Sequence, residues 1–314
     1  MEKIIPFIST CDKESTNLWL EHLQAHISEY QIVLFENLTQ EQKLSSQVAI
    51  VANPNPEDIA QLKNLKWVQS LWAGVEKLLQ ELPQSSFKIV RMTDPQLAKT
   101  MAESVLTWSL YLHKNMPLYL KQQKQKVWKQ HIETLPEEKN ILVLGLGKLG
   151  LESVKKLKEN DFSVSGWARS KKKIEGISTY YGSEGLQESL KKADIVVCLL
   201  PLTKETKNLL NKEKLDLLHN KASIINFARG AIVDYEYLLE KLGKKELSHA
   251  ILDVFDTEPL PSSSLIWENE DITVLPHISA PTNMKTASKI ASKNIYEYFE
   301  KGIIPISVDT KKGY

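Results

Sequence analysis

Along the first hundred residues, short apolar runs alternate with longer amphipathic ones: "IIPFIS", "STNLWLEHLQAHI", "QIVLFE", "VAIVAN", "IAQLKNLKWVQSLW" and "FKIVRM". Runs of strand length separated by segments of helix length predict βαβ units, because parallel neighbours need a crossover long enough to hold a helix. A helical pattern follows from Pro95 to Lys126, and then the polar segment "KVWKQHIETLPEEKN". A second series begins there with "ILVLGLG", "FSVSGWA", "DIVVCLLP", "SIINFA", "AILDVF" and "ITVLP". These later runs are apolar with little alternation, as strands covered on both faces are. The last helical pattern, "MKTASKIASKNIYEYFEKG", lies beyond the final strand and is free to return to the first series. The expectation is an α/β chain with two parallel-sheet domains, one over residues 1–100 and 285–314 and the other over 101–284.

Composition narrows the function classes. A chain of 314 residues can bury two ordinary cores, and 42% hydrophobic with 25% charged residues is a globular balance. The formal net charge of +1 gives no global field to recruit nucleic acid or an anionic membrane, so neither is an expected partner. No apolar run approaches the roughly 20 residues of a membrane helix. The start "MEKIIPFISTCDKES" lacks the apolar core and cleavage site of a signal peptide, which makes cytoplasm the expected compartment. Cys11 and Cys198 have no metal-ligand or redox spacing, and no metal is expected. Cys198, inside "DIVVCLLP", reads as a small core residue.

Positive charge is written almost entirely with lysine. Arginine occurs only at Arg91, Arg169 and Arg229. A guanidinium grips a carboxylate or phosphate through two parallel hydrogen bonds, which an ammonium does not, so each arginine is a suspected site. Gly145, Gly147 and Gly150 stand in G-x-G-x-x-G spacing in "ILVLGLGKLGLESVKKLKEN", after a strand-like run and before a helix-like one. In that context the glycines allow a tight turn, and the new helix offers free N–H groups to a pyrophosphate, which makes the second domain a Rossmann cofactor domain. At the end of the next strand an NAD-preferring site carries an acidic residue; here "GWARSKKK" puts Ala168 in that place, followed by Arg169, Ser170 and Lys171. This arrangement suits a 2′-phosphate and predicts NADPH, with NADH weaker. Arg229, Glu258 and His277 each follow a strand of the second series, at the carboxyl ends where ligands of doubly wound sheets bind.

The motifs "LGLGKLG", "LLPLTKET", "INFARGAIVD", "AILDVFDTEPLP" and "ITVLPHISA" occur in the order and spacing of the D-isomer-specific 2-hydroxyacid dehydrogenases. The chain resembles that family over nearly its whole length. Through "LWAGVEKLL", "RMTDPQLAKTMAE" and "WARSKKK" it is most similar to the glyoxylate/hydroxypyruvate reductase A branch. The resemblance implies two doubly wound parallel-sheet domains, the Rossmann domain inserted in a flavodoxin-like substrate domain. It implies that Arg229 binds a small 2-oxo acid, that His277 is the general acid and that Glu258 partners His277. It also implies cofactor contacts from Lys148, Leu149, Leu200, Pro201, Thr206, Phe227 and Asp253, and substrate contacts from Trp72, Ala73, Gly74 and Val75. Bulky Trp72 would favour a short substrate, whereas Gly74-Val75-Glu76 departs from the Gly-Val-Asp of many members and puts a local cap in doubt. Arg91 is ascribed equally to a cleft or to a structural ion pair. A homodimer is implied, with the helix after Pro95 and the Trp128 loop as contact surfaces. A non-catalytic dinucleotide sensor is the competing class, against which the intact Arg229, Glu258 and His277 argue. A methyltransferase with the same glycine loop leaves those three residues unexplained.

Overall fold

The computed structural model describes residues 4–82 and 86–309, which form two compact units. One takes in the chain up to Gln96 and resumes at Thr282; the other is Leu97–Pro281.

In the first unit, β1 (Ile4–Ser9), β2 (Gln31–Leu34), β3 (Val48–Ala52), β4 (Trp67–Ser70) and β5 (Lys88–Val90) form one parallel sheet in the order β2-β1-β3-β4-β5. That order is the flavodoxin-like one. Alternation along each strand divides the core between the two faces. Ile5, Phe7 and Ile50 pack on one side with Trp19, Leu23 and with Ala287, Ala291 and Ile295 of the helix Met284–Lys301. Ile8, Ala49, Val51 and Val68 pack on the other with Ile59 and Leu78. Each Val, Leu, Ile or Phe among them, fully buried, contributes about 1.5–3 kcal/mol of transfer free energy. The Val308 N–H donates to Ile89 O at 2.8 Å, so the C-terminal segment lies along the β5 edge.

The second unit holds β6 (Asn140–Leu144), β7 (Ser163–Ala168), β8 (Ser178–Tyr181), β9 (Ile195–Cys198), β10 (Ser223–Asn226), β11 (His249–Leu252) and β12 (Ile272–Val274). All pair in parallel, in the order β12-β11-β10-β9-β6-β7-β8. This is the Rossmann arrangement, and the order reverses between β6 and β9. Leu142, Val196, Ile224 and Ala250 face one layer, and Ile141, Val197, Ile225 and Ile251 the other. Cys198 is fully buried in the first layer, and that burial pushes its thiol up to about 12.

The helical pattern from Pro95 to Lys126 is two helices, Pro95–His113 and Met116–Gln125. Asn115 between them adopts a left-handed φ of 54°, and Pro117, which has no N–H to give, lies in the first turn of the second. Among the described residues no helix is long and apolar enough to cross a membrane.

Candidate active site

Because every strand of the second sheet runs the same way, the loops after β6, β7, β9, β10, β11 and β12 leave one edge of the sheet together. The glycine loop follows β6. Gly145 has φ +105°, and a Cβ there would lie 2.7 Å from Leu199 O; a Cβ on Gly150 would lie 1.8 Å from Gly145 O. Those two glycines are therefore demanded by the turn and by the helix packing onto it. Gly147 differs: its φ is −83°, and an added Cβ would meet nothing within 4 Å. It starts the helix Lys148–Lys158 without a side-chain cap, leaving the first N–H groups to whatever approaches. A bare backbone that the protein's own packing does not require is what a pyrophosphate needs, and the loop fits a dinucleotide on that ground. Two substitutions separate the roles. Gly150→Ala is expected to destabilise the fold by at least about 1–3 kcal/mol through overpacking. Gly147→Ala is expected to change stability by under about 1 kcal/mol while weakening NADPH, as thermal unfolding and NADPH fluorescence titration will show.

Lys148 is exposed and Leu149 half-buried at this helix start. At the end of β7, Ala168 is buried and Arg169, Ser170 and Lys171 are exposed. Lys172, which the motif reading passed over, donates from Nζ to the carbonyl of Leu146 at 2.7 Å and so joins this basic turn to the glycine loop. Sequence offered no sign of it, since three consecutive lysines look alike until the turn is folded. After β9, Leu200 is buried and Thr206 is pinned, its hydroxyl donating to Pro201 O at 2.6 Å and accepting from Thr203 N at 2.7 Å. The Glu205 carboxyl beside it is held low, first by the Thr203 hydroxyl and also by the charge of Arg169.

The Arg229 loop follows β10. Phe227 is buried, Arg229 is half-buried, and its Nη1 donates to Ala228 O at 2.6 Å. Asn226, wholly buried, donates from Nδ2 to the Arg229 carbonyl at 3.1 Å and accepts from the Ala228 N–H at 3.2 Å. Gly230 lets this loop lie against the next one, since a Cβ there would sit 2.3 Å from the carbonyl carbon of Phe255. That next loop carries Asp253 and Glu258. Asp253 is buried, and its two carboxylate oxygens accept the N–H groups of Ile278 at 2.7 Å and Ser279 at 2.9 Å. Its carbonyl accepts the His277 N–H at 3.0 Å. These three bonds hold His277 at φ +55°, a left-handed conformation that a non-glycine residue adopts only when its surroundings impose it.

His277 Nδ1 lies 2.7 Å from Glu258 Oε2, while Glu258 Oε1 accepts the Phe255 N–H at 2.9 Å. The hydrogen bond to Glu258 raises the His277 pKa; partial burial and the Arg229 charge oppose the rise, and the charge of Glu258 adds to it. For Glu258 burial pushes upward, but the bonds from His277 and the Phe255 N–H, with the charges of His277 and Arg229, hold it below the usual carboxylate range. Both partners thus favour the imidazolium–carboxylate form. With Nδ1 engaged, Nε2 is the ring nitrogen that remains for proton transfer. The arrangement can donate a proton to an oxygen acquiring negative charge beside a guanidinium.

In the first unit the Trp72 N–H donates to Ser70 Oγ at 3.1 Å, and Trp72 O accepts the Met92 N–H at 3.0 Å. The Trp72 ring packs edge-on against Trp19, with centroids 5.9 Å apart. Ala73 and Gly74 are half-buried, and buried Val75 precedes the helix Glu76–Glu81 with no side-chain cap. Arg91 is exposed just after β5. Among the described residues no group of three or more His, Cys, Asp or Glu side chains could hold a metal ion.

Residues 106–279 match the model of the D-isomer specific 2-hydroxyacid dehydrogenase NAD binding domain. A glyoxylate/hydroxypyruvate reductase A of Yersinia enterocolitica is 35% identical over 275 residues, covering 85% of this chain and 87% of that protein. Among solved structures, a D-isomer specific 2-hydroxyacid dehydrogenase of Xanthobacter autotrophicus in complex with NADPH and MES has a TM-score of 0.91 at 31% identity, over 100% of both chains. An NADPH-dependent glyoxylate/hydroxypyruvate reductase of Sinorhizobium meliloti in complex with NADP and sulfate has a TM-score of 0.88 at 26% identity, also over 100% of both. The chain belongs to the D-isomer-specific 2-hydroxyacid dehydrogenase family. It is an oxidoreductase built on a nicotinamide-dinucleotide-binding domain.

Proposed function

We propose that this enzyme reduces a small 2-oxo acid of the glyoxylate or hydroxypyruvate type to the 2-hydroxy acid at the expense of NADPH. The observation that carries the reading is the His277–Glu258 pair at 2.7 Å, its histidine pKa raised, within the field of Arg229. Arg229 anchors the substrate carboxylate and polarises the carbonyl as charge develops on its oxygen. His277 gives that oxygen a proton from Nε2, and Glu258 fixes the ring and stabilises its charged form. Asp253 holds the backbone of His277, Ile278 and Ser279 through one hydrogen bond each, so the acid stays in place while its charge changes. In the first unit the loop Trp72-Ala73-Gly74-Val75 is the proposed substrate contact, through its backbone N–H groups, with Trp72 setting the loop's shape by packing on Trp19.

When bound, the dinucleotide supplies the hydride. Gly145, Gly147, Lys148, Leu149 and Gly150 would hold its pyrophosphate; Leu200, Pro201, Thr206, Phe227 and Asp253 would border the remainder. Arg169, Ser170 and Lys171 would take the 2′-phosphate, with no carboxylate at position 168 to repel it. Arg169→Ala is accordingly expected to raise the KM for NADPH about 10- to 100-fold, the range for one charge-assisted hydrogen bond, and to leave the KM for NADH within about threefold. Equal losses for both would remove the 2′-phosphate assignment. The same reading extends to a cytoplasmic homodimer. Trp128 and Ile132, 98% and 95% exposed, are the apolar side chains a second copy would cover; light scattering at micromolar concentration that finds only 35.8 kDa particles would refute the dimer.

The test of the activity is the loss of nicotinamide absorbance with glyoxylate or hydroxypyruvate, NADPH and NADH being run in parallel. Turnover favouring NADPH is expected. Tight NADPH binding without turnover on either acid would overturn the substrate class.

A further inference from the structure

The stretch "NFARGAIVDY" ends on a tyrosine that none of the chemistry above uses. Tyr235 opens the helix Tyr235–Gly243, and its hydroxyl points back beneath the Arg229 loop rather than to solvent. There it accepts a hydrogen bond from Asn226 Nδ2 at 2.9 Å and donates one to Val254 O at 2.7 Å. The same Asn226 amide nitrogen donates to the Arg229 carbonyl at 3.1 Å. The Tyr235 ring meets Phe255 edge-on, with centroids 6.1 Å apart. Phe255 in turn donates its N–H to Glu258 Oε1.

One hydroxyl therefore connects two loops. On one side lies Asn226, which holds Arg229 by its carbonyl; on the other lies the Val254–Phe255 backbone, which holds Glu258. We infer that Tyr235 is a positioning residue that fixes the substrate-anchoring arginine relative to the His277–Glu258 pair. The inference rests on the proposed role of Arg229. Physically the network leaves little slack. Asn226 is wholly buried, its Oδ1 is taken by the Ala228 N–H, and both hydrogens of its amide have named acceptors. Removing the tyrosine hydroxyl strands one Asn226 N–H and frees the Val254 carbonyl, and a buried amide that loses a partner turns to find another. An amide that turned in this way would draw away from the Arg229 carbonyl. Phenol burial supports the picture, since it pushes the Tyr235 pKa strongly upward and keeps the hydroxyl a neutral donor across the working pH range.

The test is Tyr235→Phe, which keeps the ring against Phe255 and removes only the oxygen. The expected result is a fall in kcat/KM for the 2-oxo acid of about 10- to 100-fold, the scale for misplacement of a catalytic group by an ångström. The Kd for NADPH should stay within about twofold. A purely structural tyrosine would lower the thermal midpoint and leave kcat/KM unchanged well below it, and that outcome overturns the inference. A double-mutant cycle separates this inference from the reading beneath it. If Tyr235 acts through Arg229, Tyr235→Phe adds little further loss in an Arg229→Ala background. Full additivity overturns the positioning role while Arg229 keeps its own; an Arg229→Ala enzyme with wild-type turnover instead removes the role of Arg229. If Tyr235→Phe fails to fold, Asn226→Ser tests the same link without burying a charge, since a serine hydroxyl can still accept the Ala228 N–H and is too short to bridge Arg229 O and the Tyr235 hydroxyl.

Discussion

Arg229→Lys is expected to lower kcat/KM for glyoxylate by about 10²–10³-fold, the range for losing one preorganised donor at a developing oxyanion. Charge is conserved in this substitution, so the loss measures geometry. Arg229 is held half-buried by a backbone that Asn226 fixes at the carbonyl and Gly230 fits against Phe255. A guanidinium projecting from that backbone presents two parallel N–H groups to a carboxylate. An ammonium presents one strongly hydrated point charge from a different length of stem. NADPH affinity should be unaffected, because none of the proposed dinucleotide contacts is removed. Steady-state kinetics beside a fluorescence titration will separate the two effects, and a loss below about threefold would mean that the bidentate grip is not used.

His277→Gln is expected to cost about 10²–10⁴-fold in kcat, the contribution typical of a positioned general acid. Its pH dependence is as informative as its size. In the reductive direction the reaction needs His277 protonated at the outset. Glu258 raises the histidine pKa, so activity persists above the ordinary histidine range and falls as pH rises through the raised value. Glu258→Gln removes the charge that raises it and leaves at most a weaker, neutral hydrogen bond, while burial and the Arg229 charge, both of which lower it, remain. The descending limb should therefore move to lower pH in Glu258→Gln and be absent in His277→Gln. A limb that stays in place in Glu258→Gln would assign the titration to another group.

Much of this site was legible because its chemistry is written in residues that the rest of the chain avoids. Three arginines among many lysines mark positions where charge alone gives no reason for the choice, and three glycines at fixed spacing before a helix mark a turn whose packing demands Gly145 and Gly150 but not Gly147. Strands such as "DIVVCLLP" were equally plain, since both of their faces are buried. β8 carries no such signal: "STYY" has no apolar run, and at the edge of the sheet none of its four residues is buried. The break at Asn115 is hidden too, because the two helical patterns nearly abut, with only Lys114 and Asn115 between the helices. What the sequence could not reveal were groups that act through folded geometry alone. Asp253 reads as a cofactor contact in the motif, and only the fold shows that both its carboxylate oxygens accept from the backbone of the His277 loop. Asn226 and Tyr235 look like the end of a strand and the start of a helix, and only the fold shows that they share a hydrogen bond beneath Arg229.

The central claim is that this site delivers a hydride to the carbonyl carbon of a small 2-oxo acid while His277 protonates the oxygen. Its most direct test is a reaction of hydroxypyruvate with NADPH carrying deuterium at the transferable position, followed by NMR and chiral analysis of the product. The account predicts one deuterium at C2 of a single D-configured 2-hydroxy acid, formed by the wild-type enzyme and reduced at least a hundredfold in rate in His277→Gln. Product without deuterium at C2, or labelled product formed equally fast by His277→Gln, would contradict it.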